Sequence, residues 1–372
     1  MARSSFREEM SSLSVKEHRL EFREPKDALS VLLAQISPVH DPEILKSRSL
    51  IRCRDPDKQA RKIITIIEHA AQHGIDLVLF PELTVPFSHL PRFEEVVRGI
   101  EGELVVNLCY EHTPLRDLSA VLSPEEREQL GLDRAEDDAR MANFCRILVK
   151  AGDRLHVFTQ LKLTPFSGEF SLSAQETLFC GHVLHKFVTN WGNFLFLICK
   201  DYVGEVGGTH KVPMFDFLKG LTEGGLHYIF VSAMNPEPGA FVHAARAFYY
   251  LQEKCGHTFT VLLNTAELGH TAIIFPSRPH PGIRPVADID LVPLFEGKSG
   301  WGTHLRFARK GERLISGTLM RLDKYRPLPT KEIFSPVYQV QQLDIAALGI
   351  SPDVVVRPEA PPSKTVSYTH LR

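Results

Sequence analysis

The sequence has no excess of charge of either sign and no long apolar run. Its 43 Lys and Arg residues nearly balance its 45 Asp and Glu residues, for a formal net charge of −2. Such a chain does not attract nucleic acid or an anionic membrane by bulk charge. No apolar stretch reaches the roughly twenty residues that span a bilayer, and the polar start Met1–Glu9 lacks the apolar core of a signal peptide. We therefore expect a soluble protein.

Paired cysteines are also missing. The six cysteines include no Cys-x-x-Cys pair, and no His-x-x-x-His lies beside them, which argues against a zinc site. Several lie in apolar segments, where free cysteine behaves as a small buried hydrophobic residue. A reducing compartment, the cytoplasm, fits this usage best. No Gly-x-Gly-x-x-Gly turn is present either, so we expect no dinucleotide and no other cofactor.

What the sequence does contain is ordinary globular composition, with 43% hydrophobic and 24% charged residues. The 372 residues allow two or three domains, or one large α/β unit with extensions. We divide the chain into an N-terminal arm (1–28), a main domain (29–345) with a polar surface insertion at about 111–140, and a tail (346–372). The arm is either mobile or covers a sheet edge. The proline-rich tail has no apolar periodicity and is predicted to be disordered.

Strands and helices alternate along the main domain. A helix is predicted from the Asp55-Pro56 pair to Gly74, because its apolar residues lie on one stripe. Apolar or alternating segments predict strands at 30–36, 75–80, 104–108, 144–149, 155–161, 183–188, 193–198, 228–231, 259–263 and 271–275. This alternation is typical of a layered α/β sandwich.

Three residues that suit acyl transfer each follow one of these strands. Glu82 follows the run 75–81, Lys162 follows 155–161, and Cys199 follows 193–198. Runs this apolar are typical of strands buried on both faces, and ligands bind at the carboxyl edge of such sheets. A base, a cation and a thiol at one edge predict a covalent site that cleaves amides.

Each of these residues also has a simpler explanation. Cys199 alone would be a core cysteine that ends a buried strand. Glu82 alone could cap the following turn, and Lys162 could be a solvated strand end, because buried cysteine and exposed Lys and Glu are common. Only the ordered set favours the functional interpretation.

The order and context of these residues resemble the nitrilase, or carbon–nitrogen hydrolase, superfamily. The motifs that carry the resemblance are Leu79-Phe80-Pro81-Glu82, Gln160-Leu161-Lys162 followed by Glu169, Leu197-Ile198-Cys199-Lys200-Asp201, Asn143 before a hairpin, 243–247, Asn264 and 269–274. The match runs in order from about residue 31 to residue 276, and the insertion at 111–140 is its main interruption.

The resemblance implies a four-layer αββα sandwich that forms a homodimer or a higher homo-oligomer. It also implies hydrolysis or transfer at non-peptide C–N bonds of a small molecule through a Glu-Lys-Cys triad. An amide is favoured over a nitrile as substrate, because no residue points to a nitrile. Glu169 resembles the second glutamate of the family, which would orient Lys162 and a water.

In the catalytic assignment Cys199 is the nucleophile that forms a thioester, and Glu82 accepts its proton. A nearby ammonium favours the thiolate, whereas a neighbouring carboxylate opposes it and must act as base. Lys162 and the backbone N–H of Lys200 would hold the oxyanion. Lys200 departs from the family, which often has an aromatic residue there. We expect its side chain to point outward; the alternative is contact with an anionic group of the substrate.

Other functions stay open. An N-acyltransferase would use the same residues but exclude water in favour of an amine. A catalytically silent ligand sensor or scaffold would retain only the pocket, and the basic stretch Arg306–Arg326 could then bind a protein or nucleic acid. We interpret that stretch as solvated surface. Metal-dependent hydrolysis lacks ligands. His243 and Arg246 are interpreted as structural, and Asp201 as part of the turn after the nucleophile.

Overall fold

The computed structural model describes residues 13–38, 50–132, 140–165, 169, 178–206, 212–222, 225–236, 238–250, 257–276, 289–294, 302–307, 309–324 and 336–353. In chain order its strands are β1 (Ser14–Leu20), β2 (Ala28–Gln35), β3 (Leu77–Leu79), β4 (Leu104–Cys109), β5 (Thr113–Pro114), β6 (Met141–Ala142), β7 (Phe144–Ala151), β8 (Arg154–Leu161), β9 (Val183–Thr189), β10 (Phe194–Ile198), β11 (Glu205–Val206), β12 (Val212–Pro213), β13 (Tyr228–Ser232), β14 (Phe259–Leu263), β15 (Thr271–Phe275), β16 (Asp290–Pro293), β17 (Thr303–Phe307), β18 (Arg313–Met320) and β19 (Val337–Asp344).

Two large sheets form the centre of the protein. The first has the order β19-β18-β2-β3-β4-β7-β8, and the second has the order β1-β9-β10-β13-β14-β15-β17-β16. In the first sheet β2, β3 and β4 run parallel, and in the second β10, β13 and β14 do. Every residue of β3, β4, β10 and β13 is buried, as their continuous apolar sequences predict.

The helices are α1 (Pro56–Gln72), α2 (Leu90–Gly99), α3 (Leu115–Val121), α4 (Pro124–Leu130), α5 (Lys200–Val203), α6 (Met214–Thr222) and α7 (Pro238–Tyr249). The Asp55 side chain caps α1 by accepting a hydrogen bond from the backbone N–H of Lys58 at 2.9 Å. Ser123 and Glu126 form a capping box at the start of α4, which ends at Gly131 in the left-handed conformation. The predicted start of the helix at Asp55 is therefore confirmed.

Side-chain alternation in the strands separates two cores. Leu32 of β2 and Val78 of β3 belong to a core that also contains Ile63 and Ile67 of α1. Their neighbours Leu33 and Leu79 face the opposite way, into a core shared with the second sheet and with α6 and α7. The order of layers is thus helices, first sheet, second sheet, helices. The predicted four-layer αββα sandwich is confirmed.

Within the N-terminal arm, residues 14–20 form a strand at a sheet edge. β1 pairs in parallel with β9 over its full length, from Ser14 opposite Val183 to Leu20 opposite Thr189. A salt bridge of 2.8 Å between Glu17 and Lys186 links the same two strands. Of the two alternatives for the arm, residues 14–20 fit the edge-covering one; residues 1–12 lie outside the described part of the chain.

The fold continues past the boundary that we placed at residue 345. Ile345 is buried and begins a short 3-10 helix, Ile345–Leu348. Further on, the backbone N–H of Asp353 donates to Glu312 at 2.6 Å, and its carboxylate pairs with Lys62. Lys62 and Glu312 are both buried, and a buried charge needs such partners. The predicted tail is therefore too long at its start; residues 354–372 lie outside the described residues.

The stretch 111–140 is more than a polar surface insertion. Leu115, Leu118 and Leu130 are buried, because α3 and α4 each turn an apolar face inward. β5 also pairs with β6 on the far side of the stretch. The expectation of a polar surface insertion is therefore wrong for the buried residues of its helices; its acidic end, 133–139, lies outside the described residues.

Three arginines in the described part of the basic stretch are engaged within the chain. Arg306 binds Asp290 at 2.6 Å, Arg313 binds Gln342 at 2.8 Å, and Arg321 binds Asp323 at 2.7 Å. The two ion pairs, those of Arg306 and Arg321, contribute little stability but lower the free charge of the surface.

Candidate active site

Cys199 lies in a turn between a buried strand and a short helix. It follows β10 directly and precedes α5, and its backbone has φ +45° and ψ −103°. A positive φ is strained for a residue with a side chain. Its backbone N–H donates to the carbonyl of Ser232 at 2.8 Å, so the turn is fixed to the end of β13. The side chain is almost fully buried, at 7% exposure.

Glu82 reaches the same point from the other sheet. It lies in a tight turn after β3, and its neighbour Leu83 also has a positive φ, of 62°. The Glu82 carboxylate is buried and accepts three hydrogen bonds. One comes from the Lys162 ammonium at 2.7 Å, one from the Asn143 amide at 2.9 Å and one from the Met234 backbone N–H at 3.0 Å. Burial, and then the charge of this carboxylate, raise the pKa of the Cys199 thiol.

Lys162 is buried between two carboxylates. Its Nζ atom lies 2.7 Å from Glu82 and 2.8 Å from Glu169. An ammonium has three protons, so these two contacts leave one for another acceptor. Burial alone would lower the pKa of Lys162, but the negative charges of Glu82 and Glu169 outweigh it and raise this pKa well above its usual range.

Asn143 holds the two carboxylates together. Its Nδ2 atom donates to Glu82 Oε1 and to Glu169 Oε1, at 2.9 Å in both cases. The reversed amide would place its oxygen against two carboxylates, so this orientation is the one that the charges require. The Asn143 carbonyl also accepts from the backbone N–H of Lys162 at 2.8 Å. Asn143 entered the sequence analysis only as a residue before a hairpin.

The electrostatics favour a neutral thiol and an ionised Glu169. Burial is the main reason why the pKa of Cys199 is raised well above its usual range; Glu82 adds to the rise, and Lys162 opposes it. For Glu169, burial opposes ionisation, but Lys162 and then His112 lower the pKa of the carboxyl. The thiol therefore rests protonated beside a carboxylate that can accept its proton.

Asp201 joins the Cys199 turn to the segment after Lys162. Its buried carboxylate accepts from the backbone N–H of Ile198 at 3.2 Å, Leu163 at 2.9 Å and Thr164 at 2.7 Å. Burial raises the pKa of Asp201 to about 8, although Lys162 and these three donors act in the opposite direction. Asp201 was predicted only to shape the turn after Cys199. It also binds the segment after Lys162.

His112 is a site residue that the sequence analysis missed. It is buried, and its Nε2 atom lies 3.2 Å from Glu169 Oε1. It belongs to the stretch that we assigned to a surface insertion, and no motif marks it. Only contact in three dimensions, over 57 positions of sequence, brings it to the site.

The two sheets are tied together beneath the site. The Ser232 hydroxyl donates to the Phe80 carbonyl at 2.8 Å and accepts from the Asn107 amide at 3.1 Å. Ser232 is also the residue whose carbonyl binds Cys199. The turns that carry Glu82 and Cys199 are therefore held in one frame.

The structure brings four of the predicted side chains together: Glu82, Lys162, Glu169 and Cys199. Lys200 is different, since its half-exposed side chain has no role in this cluster. Lys200 is the first residue of α5, and the N–H groups in the first turn of a helix have no partners within the helix. Arg246 binds the carbonyl of Leu294 at 2.5 Å, in keeping with a structural role.

Comparisons with known proteins give similarity in structure only. No protein-family model matches the chain, and no curated protein does. Solved structures that are similar include Nit3 of Saccharomyces cerevisiae, described as a member of branch 10 of the nitrilase superfamily. It is 15% identical, with a TM-score of 0.47, over 83% of this chain and 98% of Nit3.

Two further structures are similar over much of the chain. Glutamine-dependent NAD+ synthetase of Acinetobacter baumannii is 14% identical over 83% of this chain and 49% of its own, with a TM-score of 0.45. A variant of the Nesterenkonia AN1 amidase, from the nitrilase superfamily, is 11% identical over 67% of this chain and 84% of its own, with a TM-score of 0.42. With identities and TM-scores this low, the similarity assigns no activity to this chain.

None of the described helices is long and apolar enough to cross a membrane. Among the described residues, no group of three or more His, Cys, Asp or Glu side chains is arranged to hold a metal ion.

Proposed function

We propose that the protein is a cysteine-dependent hydrolase of non-peptide C–N bonds that acts on a small-molecule amide through a thioester on Cys199. The observation that carries the proposal is the buried pair of the Glu82 carboxylate and the Lys162 ammonium, 2.7 Å apart, in whose electrostatic surroundings the Cys199 thiol is buried. A nucleophile, a base in reach of it and a charged donor in one buried cluster are the parts that acyl transfer needs.

The first half of the reaction forms the thioester. Cys199 Sγ attacks the amide carbonyl carbon while Glu82 takes the thiol proton. This transfer leaves the net charge of the cluster unchanged, because a carboxylate becomes neutral as the thiol becomes a sulfur nucleophile. The remaining Lys162 proton and the backbone N–H of Lys200 are the donors for the developing oxyanion. Glu82 then gives its proton to the leaving nitrogen as the C–N bond breaks.

The second half releases the acid. A water attacks the thioester carbonyl, and Glu82 accepts a proton from this water. The C–S bond breaks, and the sulfur regains a proton from Glu82. Glu169 keeps the ammonium of Lys162 in place throughout, since it binds that group at 2.8 Å.

The test is covalent capture of the acyl group. The full chain is incubated with a panel of small aliphatic and aromatic amides at saturating concentration, quenched in acid and examined by intact mass. We expect an acyl adduct that Cys199→Ala lacks and that Cys180→Ser retains. Cys180 is a matched control, because it also lies in the electrostatic surroundings of Lys162 and Glu169, and burial raises its pKa, to about 12, as it raises that of Cys199.

The alternatives give different results in the same experiment. Faster loss of the adduct to an added primary amine than to water would identify an N-acyltransferase. A ligand that binds without any adduct, together with a Cys199 that resists thiol reagents, would support a silent sensor. Either result would remove the hydrolase proposal.

A further inference from the structure

His112 is a buried titratable residue that the mechanism above does not use. It is 1% exposed, and both of its ring nitrogens have partners. Its Nδ1 atom lies 3.0 Å from the backbone nitrogen of Ile51, and its Nε2 atom lies 3.2 Å from Glu169 Oε1. The backbones of His112 and Ile51 are joined as well, by a bond of 3.1 Å from His112 N–H to the Ile51 carbonyl.

These contacts determine the protonation state of the ring. A backbone N–H can only donate, so Nδ1 of His112 must accept and carries no proton. The ring proton therefore lies on Nε2, which faces the carboxylate of Glu169. Protonation of Nδ1 would set its proton against the Ile51 N–H. His112 is thus held as a neutral donor.

The same contacts give the two carboxylate oxygens of Glu169 different partners. Oε1 accepts from two neutral donors, His112 at 3.2 Å and Asn143 at 2.9 Å, whereas Oε2 faces the Lys162 ammonium at 2.8 Å. A neutral donor stabilises the carboxylate without adding positive charge that would compete for it with Lys162.

We propose that His112 is a positioning residue: as a neutral Nε2–H donor it fixes the ionised carboxylate of Glu169, which in turn aims the Lys162 ammonium at the Cys199 site. The inference deepens the proposed function and rests on it. His112 then cannot act as general acid or base, because the lone pair of its Nδ1 atom accepts from the Ile51 N–H and its Nε2 proton faces Glu169.

The test compares His112→Leu with His112→Gln in the full chain. Gln can donate from nearly the position of Nε2, whereas Leu cannot. The probe is 4-nitrophenyl acetate, whose acyl transfer releases a coloured phenolate and does not depend on knowing the natural amide. Circular dichroism confirms folding of each variant, and Cys199→Ala gives the background.

We expect His112→Leu to lower kcat about ten- to a hundredfold, the effect of losing one hydrogen bond to a charged group. We also expect the acid limb of its kcat/KM profile to move to higher pH. Glu169 loses a donor, so its pKa rises, and only an ionised Glu169 holds the Lys162 ammonium. His112→Gln should restore most of the rate and the position of the limb. A purely structural residue would change the amount of active protein but leave the pH profile in place.

The outcomes separate the two claims. If wild type and Cys199→Ala release phenolate equally, the proposed function fails. If Cys199 is required but His112→Leu keeps the wild-type rate and acid limb, or His112→Gln is as slow as His112→Leu with an unshifted limb, only the inference fails.

A second measurement needs no folded Leu variant. In 15N-histidine NMR spectra of the wild type, the His112 signals, assigned by their loss in His112→Gln, should show the ring proton on Nε2 and none on Nδ1. A ring protonated on Nδ1 would overturn the inference.

Discussion

The carboxylate of Asp201 accepts a hydrogen bond of 2.9 Å from the backbone N–H of Leu163, the residue after Lys162. Asp201 lies two positions after Cys199, so this contact links the strand end that carries the nucleophile to the one that carries the ammonium. The distance between the two groups is thus set by one buried side chain as well as by the sheets.

Asp201→Asn tests this link. An amide offers one accepting oxygen, and its NH2 group would face the N–H of Ile198, which now binds the second carboxylate oxygen at 3.2 Å. We expect the free energy of unfolding to fall by about 1–3 kcal/mol and turnover to fall with it. Urea unfolding and the ester assay measure the two effects. Asp216→Asn, at an exposed position on α6, should behave as wild type; an unaltered Asp201→Asn protein would show that the link is unimportant.

Glu82→Gln tests the base. Gln keeps the size of the side chain but cannot take the Cys199 proton, so we expect turnover to drop by about a hundred- to ten-thousandfold while the circular dichroism spectrum stays the same. Glu103→Gln is the control, because the Glu103 carboxylate likewise accepts more than one hydrogen bond, from the backbone N–H of Arg23 at 2.8 Å and that of Gly152 at 2.9 Å. Near-normal turnover in Glu82→Gln would remove Glu82 from its proposed role.

Lys62→Met tests the ion cluster that holds residues 351–353. Lys62 and Glu312 are buried, with side chains 1% and 0% exposed and 2.8 Å apart. Removing the Lys62 ammonium leaves the negative charge of Glu312 buried without this partner. We expect the free energy of unfolding to fall by about 3–5 kcal/mol as a result. Lys58 also binds Asp353, but its side chain is 40% exposed. Lys58→Met should therefore cost less than about 1 kcal/mol, and equal losses in urea unfolding would contradict this account.

His185→Gln tests the pH dependence of stability. Burial, and then His18, lower the pKa of His185 to about 4, whereas in the unfolded chain it is about 6.5. The unfolded state binds more protons between these values, so His185 stabilises the fold fully above pH 6.5 and loses this contribution as the pH falls toward 4.

The expected slope from this residue is up to about 1.4 kcal/mol per pH unit in that window. Gln can keep both contacts of the ring, to the Thr159 carbonyl and to His18, yet it does not titrate. The difference between the unfolding free energies of wild type and His185→Gln at pH 7 and pH 5 isolates the effect. Identical changes in both proteins would refute the assignment.

The amino-acid sequence by itself determined the elements and the chemistry at their ends. Buried runs such as that of β10, and the capping residue Asp55, act over a few neighbouring positions, so patterns along the chain reveal them. Because ligand sites lie at the carboxyl edge of such sheets, Glu82, Lys162 and Cys199 could be proposed together before any contact was known.

Only the tertiary structure decided which side chains support these groups. Three supporting groups act through individual hydrogen bonds to partners 26 to 61 positions away: the amide of Asn143, the ring of His112 and the carboxylate of Asp201. The pairing of Asp353 with Lys62, 291 positions apart, is of the same kind. Such contacts leave no periodic pattern in the sequence. They depend on how two sheets and their loops pack against each other, and the spacing of residues along the chain does not show this packing.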